Sequence, residues 1–172
     1  MVRVAIVGHS QIPYINSYDD KEISTFKLKG ALCSDFFDSP LNECLQQEYD
    51  VVIIFLGGND IGTSQPAEIV DALLNIVREL SNVNQVYLTQ IEHRTYPLGH
   101  KYYVEENTYR KKAKAVNRKL VSKAPSEGYR TLNISSQDYN DNSWDGIHFH
   151  TIARNQLIRK FKKAIDNAGN NE

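Results

Sequence analysis

Residues 50–60 read DVVIIFLGGND, and this stretch decides the fold class. The run Val51–Leu56 is apolar throughout, leaving no polar face for water, so it reads as a strand buried on both sides. The Gly57-Gly58 pair just after it permits a sharp turn out of the sheet. A strand of this kind belongs to a parallel sheet covered by helices. The segments on either side fit that expectation. Upstream, Val2–Val7 is a second apolar strand, broken only by Arg3 and ended by Gly8, and Thr25–Leu28 is a short strand between the two. Pro40–Tyr49 reads as a short helix with Leu41, Cys44 and Leu45 on one side. Downstream, a helix capped by Thr63 or Ser64 carries Pro66 in its first turn and Ile69, Val70, Leu73, Leu74, Val77 and Leu80 at helical spacing. Then come a strand at Val86–Ile91, a helix at Glu105–Lys123 with Ala113, Val116, Leu120 and Val121 inward, a strand at Tyr129–Ile134, and a helix at Thr151–Asn167. That last helix buries Ala153, Leu157, Phe161, Ala164 and Ile165.

Strands alternating with helices predict a three-layer α/β/α sandwich around a mostly parallel five-stranded sheet, as one domain over residues 1–172 with 168–172 frayed. A hydrophobic content of 41% with 24% charged residues excludes a disordered chain. Cys33 and Cys44 do not make a disulfide framework. No apolar run reaches the roughly 20 residues of a membrane-spanning helix. The opening MVRVAIVGHS has neither a long apolar signal region nor a small-residue cleavage site, so an intracellular, cytoplasmic protein is expected.

The net charge of −1 conceals an asymmetry: residues 1–100 hold 6 Lys+Arg and 13 Asp+Glu, whereas residues 101–172 hold 14 and 8. The basic residues fall on two helices, with Arg110, Lys111, Lys112, Lys114, Arg118, Lys119 and Lys123 on one and Arg159, Lys160, Lys162 and Lys163 on the other. If the helices share one layer, they form a positive surface suited to nucleic-acid phosphates or an anionic membrane. The plainer reading is that these are the solvated outer faces of surface helices.

Ligand sites in open parallel sheets lie at the carboxyl ends of the strands. The residues just past each strand are therefore informative: Gly8-His9-Ser10, then Gly30, then Gly57-Gly58-Asn59-Asp60, and finally Asp145-Gly146-Ile147-His148. A serine hydroxyl becomes a nucleophile only with a base and an orienting carboxylate. Ser10, His148 and Asp145 supply those types, while the Asn59 amide and the Gly30 and Ser10 backbone N–H groups can donate to a developing oxyanion. Each has a structural alternative: Ser10 and Asp145 as helix caps, Asn59 and Gly30 as turn residues, His148 as a satisfied structural histidine. Asp60 reads as a turn or cap residue. His148 and His150 flank Phe149 near Asp145, which also suits a metal site, although no further ligand cluster accompanies them. Trp144, Tyr96, Tyr102 and Tyr103 either line a cleft or pack at the surface, and Arg94 either meets substrate or pairs with a carboxylate.

These four ordered blocks resemble those of the SGNH (GDSL-type) hydrolases, over nearly the whole chain. The resemblance implies a flavodoxin-like fold and a carboxylic ester hydrolase without metal or organic cofactor. It implies Ser10 as nucleophile, Asp145 and His148 as its triad partners, and Ser10, Gly30 and Asn59 as the oxyanion hole. Short-acyl or lipid esters would be the substrates. This chain departs from the family pattern at His9, where an aspartate is usual. A narrower resemblance, carried by YDVVIIFLGGNDI at 49–61, Arg94 and Val116-Asn117 with Leu120, is to the esterase domain in first-reading-frame proteins of animal non-LTR retrotransposons. The alternative to an enzyme is a retired module of the same fold that binds RNA or an anionic membrane through its basic half.

Overall fold

The computed structural model describes residues 1–134, 147, 149 and 151–168. The five strands β1 (Val2–Gly8), β2 (Lys21–Lys27), β3 (Val51–Phe55), β4 (Gln85–Thr89) and β5 (Arg130–Leu132) form one sheet in the order β2-β1-β3-β4-β5. Every neighbouring pair is parallel, a stricter outcome than the mostly parallel sheet expected. The helices are α1 (Pro66–Glu79), α2 (Glu106–Glu127) and α3 (Thr151–Ala168).

The two sides of the sheet carry separate cores. Ala5, Val7, Val52, Ile54, Val86 and Leu88 face α1 and α2. Val4, Ile6, Val51, Ile53, Phe55 and Tyr87 face α3. This alternation arises from the two-residue side-chain period of a strand. The condition for a shared basic layer is not met: α2 and α3 lie on opposite faces of the sheet, so their lysines and arginines do not build one positive surface within a layer.

Several boundaries differ from expectation for local reasons. β2 begins at Lys21 because an edge strand alternates exposed and half-buried residues, and its polar KEIST start hides the pattern. The segment after Pro40 is a 3-10 turn, Leu41–Gln46, in which Leu41 and Cys44 eclipse at a three-residue spacing and Leu45 turns out to solvent. α1 is capped by Gln65 rather than Thr63 or Ser64, since Pro66 takes the first helical position and Glu68 accepts from the Gln65 N–H at 3.1 Å. α2 runs through Pro125 to a left-handed Gly128, whose N–H bonds the Ala124 carbonyl. Its inward stripe is Tyr109, Ala113, Val116 and Leu120, which puts Val121 in solvent.

No described helix is long and apolar enough to cross a membrane. Phe161 is fully buried on α3 and meets Phe55 of β3 edge-on at 5.9 Å between ring centroids. It is the largest side chain that α3 places against the sheet. Phe161→Ala should cost about 3–5 kcal/mol of stability, measured as a lower urea midpoint at unchanged slope. A loss below about 1 kcal/mol would mean that α3 does not close this face.

Candidate active site

The chain leaves β1 in one direction to form β2 and in the other to form β3, so the topological switch point lies between β1 and β3. A cleft of about 210 Å3 opens at the carboxyl ends of the strands and is lined by Ser10, Gly30, Asn59, Arg94, Tyr96 and Ile147 among others. Three of the five residues expected at the site therefore meet in one place. Asp145 and His148 lie outside the described residues, as do Trp144 and His150.

Ser10 stands just past the end of β1, and Gly8 sets its height. A Cβ on Gly8 would collide with the Phe55 carbonyl, so only glycine lets the two central strands run this close as they end. Gly30 sits at φ +70° after β2, a backbone conformation that favours glycine. Its carbonyl accepts from the Tyr102 hydroxyl at 2.9 Å, and no described residue accepts from its N–H.

Asn59 lies in the one-turn helix Gly58–Asp60 beyond β3 and is buried. Its Oδ1 accepts from Arg94 Nη1 at 2.6 Å and from the Tyr96 hydroxyl at 2.9 Å. Arginine has no acceptor, so this contact fixes which end of the amide is oxygen. The Nδ2 then donates to the Ala31 carbonyl at 3.0 Å and keeps one further N–H. Asp60 takes a different role. Both its oxygens accept from the Cys33 N–H, at 3.1 and 3.3 Å, which ties the loop after β2 to the loop after β3. Burial raises the Asp60 carboxyl above its ordinary range and the Cys33 thiol well above its own, with Asp60 adding to the latter.

Beneath the cleft lies a buried polar cluster. Arg94 and Glu92 form an ion pair with side chains 2% and 1% exposed. Arg94 also donates to the Tyr96 hydroxyl at 2.8 Å and stands 3.0 Å from His9 Nε2. Burial opposes the guanidinium charge, but the Glu92 carboxylate together with Tyr96 and Tyr109 offsets it, leaving the Arg94 pKa above its ordinary value. The carboxylate partner that the sequence allowed for Arg94 is present, and Arg94 also lines the cleft. Burial likewise raises the pKa of Tyr96.

His9 stacks on Phe55 at 4.4 Å. The Gln11 N–H approaches its Nδ1 at 3.2 Å. A neutral imidazole has one bare nitrogen, so it cannot accept at both positions, and the charge-assisted contact to Arg94 is the stronger. Of the aromatic residues left open by sequence, Tyr96 and Tyr102 line the cleft, joined there by His100. Tyr103 is 41% exposed. His93 pairs with Glu106 at 3.2 Å, and burial lowers its pKa.

No family model and no curated protein matches the chain. Solved structures do. An acetyl xylan esterase, AlAXEase, superposes with a TM-score of 0.74 at 17% identity, covering 95% of this chain and all 100% of the other. A putative acylhydrolase from Bacteroides fragilis gives 0.73 at 15% identity over 96% and 86% of the two chains. A putative GDSL-like lipase from Parabacteroides merdae gives 0.72 at 14% identity over 95% and 94%. The chain has the SGNH (GDSL-type) hydrolase fold.

Two residues at the carboxyl edge of this SGNH fold escaped the sequence reading. Glu92 was legible in principle, because Glu92 and Arg94 alternate just past a buried strand and so point to one side. Gln11 had no such signal. Its side chain donates to the Ile147 carbonyl and its Oε1 accepts from the Phe149 N–H at 3.3 Å, a pairing between residues 136 and 138 positions apart.

Arg94→Met strands the Glu92 carboxylate in a dry site and should cost about 3–5 kcal/mol in chemical unfolding. Adding Glu92→Gln should recover a large part of that loss. A double variant no more stable than Arg94→Met would mean that the ion pair is not the source of the cost.

Proposed function

We propose that the chain is a serine esterase that cleaves small-acyl carboxylic esters at Ser10. The observation that carries this reading is the Gln11 clamp. The residue beside Ser10 holds Ile147 and Phe149, the two neighbours of His148 in sequence, while Ile147 lines the same cleft as Ser10, Gly30 and Asn59. The esterases and lipases of like fold add support at the level of reaction class.

In the proposed reaction, Ser10 Oγ attacks the ester carbonyl carbon as His148 takes its proton. Asp145 holds the other ring nitrogen and stabilises the imidazolium. The carbonyl oxygen becomes an oxyanion, received by the remaining Asn59 N–H and the Gly30 and Ser10 N–H groups. Collapse expels the alcohol, which takes the proton from His148, and leaves an acyl-serine. Water, deprotonated by His148, attacks the acyl carbon and restores Ser10 as the carboxylic acid leaves. Asn59 needs no reorganisation, because Arg94, Tyr96 and Ala31 already hold its amide, and such preorganised donors are worth about 10²–10³ in rate each. A cleft of about 210 Å3 favours acetyl-sized groups over long chains.

A fluorophosphonate probe should add covalently to the wild type and not to Ser10→Ala, read as intact mass. An equal adduct on both proteins, or none on the wild type, refutes the reading. Gln11→Ala should fold and still label, but about a hundredfold more slowly, since loss of the clamp misplaces the partner segment.

A further inference from the structure

The cleft carries a charge that ester cleavage alone does not explain. Besides Arg94 it is lined by Lys29 and Lys101, and among the described residues no carboxylate lines it. The Arg94 charge is cancelled beneath the floor by Glu92. Among the described residues neither lysine has such a partner. Lys29 stands in the half of the chain that is net acidic, directly before Gly30.

Lys101 is placed rather than merely exposed. Its Nζ lies 4.8 Å from the centroid of the Tyr102 ring, and Tyr102 is pinned through its hydroxyl to the Gly30 carbonyl. The same Nζ is 3.6 Å from where a Cβ on Gly30 would stand. One ammonium thus sits over the backbone of the proposed oxyanion donor, with the second one residue away in sequence.

We infer that the substrate is an anionic ester, carrying a carboxylate, phosphate or sulfate near the scissile bond, and that Lys29 and Lys101 select it. This rests on the esterase reading above. The two cations would raise the local concentration of such an ester and hold its charged group at the cleft mouth. At separations of about 6 Å in a partly wet site, each lysine contributes roughly a three- to tenfold preference.

The test compares kcat/KM for matched pairs of esters on the intact chain. One pair carries the charge on the acyl side, p-nitrophenyl hemisuccinate against p-nitrophenyl butyrate. The other carries it on the alcohol side, a sulfonated naphthyl acetate against naphthyl acetate. At low salt the anionic member of at least one pair should lead by about tenfold or more, and the lead should shrink as salt shortens the screening length. Which pair responds tells which side of the ester the lysines face. Lys29→Gln and Lys101→Gln should each lower the ratio, and the Lys29→Glu/Lys101→Glu double variant should invert it. Inversion separates a charge effect from a merely structural one. Ratios near one for both pairs, or ratios indifferent to salt and to charge reversal, overturn the inference while leaving the esterase reading intact. Absence of all turnover together with absence of a fluorophosphonate adduct overturns both.

Discussion

A single buried guanidinium organises the carboxyl edge of this sheet. Arg94 is 2% exposed, and a cation in such a place persists only if it is paired and its donors are used. Its partners arrive from three different loops. His9 comes from the end of β1, Asn59 from the end of β3, and Glu92 and Tyr96 from the loop after β4 that carries Arg94 itself. Asn59 passes the connection on to Ala31 beyond β2. Four strand ends are thereby tied to one planar group. Because arginine only donates, every atom that faces it must accept, and that rule sets the orientation of the Asn59 amide and the bare nitrogen of His9. Asn117 of α2 fixes the same loop from the other side: its amide accepts from the Ile91 N–H at 2.6 Å and donates to the Ile91 carbonyl at 3.0 Å.

His9 gains its meaning from this cluster. At a position where the family pattern has an aspartate, an imidazole brings no charge to offset Arg94. The carboxylate that offsets Arg94 is Glu92, from the loop after β4, with its Oε1 3.7 Å from His9 Nε2. The ring packs tilted against Phe55 and accepts from Arg94, which adds a ring contact and a charge-assisted bond to the backbone hydrogen bonds that hold the turn carrying Ser10. With His9 at this position the cation is still paired.

The sheet and the three helices were legible because their signals are local. An all-apolar run, a helical stripe or a Pro near a helix start needs no distant residue to interpret it, and α3 buries the five residues its spacing indicates. The meeting of Ser10, Gly30 and Asn59 in one cleft was legible for a related reason: the topology of a parallel sheet gathers the residues just past each strand at one edge. What could not be read was long-range. The ion pair of Arg94 needed its carboxylate chosen among 21 acidic residues. The Gln11 clamp joins segments that only the finished fold brings together. The basic helices show the opposite failure. Their charge was plain in the sequence, yet its placement on two faces depends on which side of the sheet each crossover takes, and composition is silent on that.

Long-range pairing also shapes the charge of the cleft, whose described lining carries cations and no carboxylate. An oxyanion site must be lined by donors, and a nearby carboxylate would raise the cost of the charge that forms there. In the proposed reaction the buried cluster would meet this constraint, because Glu92 is buried away from the cleft while the Asn59 amide and the Arg94 guanidinium line it. Neutrality of the floor then leaves the field at the cleft mouth to the rim. There Lys29 and Lys101 would act on an approaching substrate, and the aromatic ring of Tyr102 that seats Lys101 is itself fastened to the Gly30 carbonyl. Positioning of the proposed oxyanion donor and positioning of the rim cation are thus one hydrogen bond apart, which in the proposed reaction would couple the choice of substrate to its geometry.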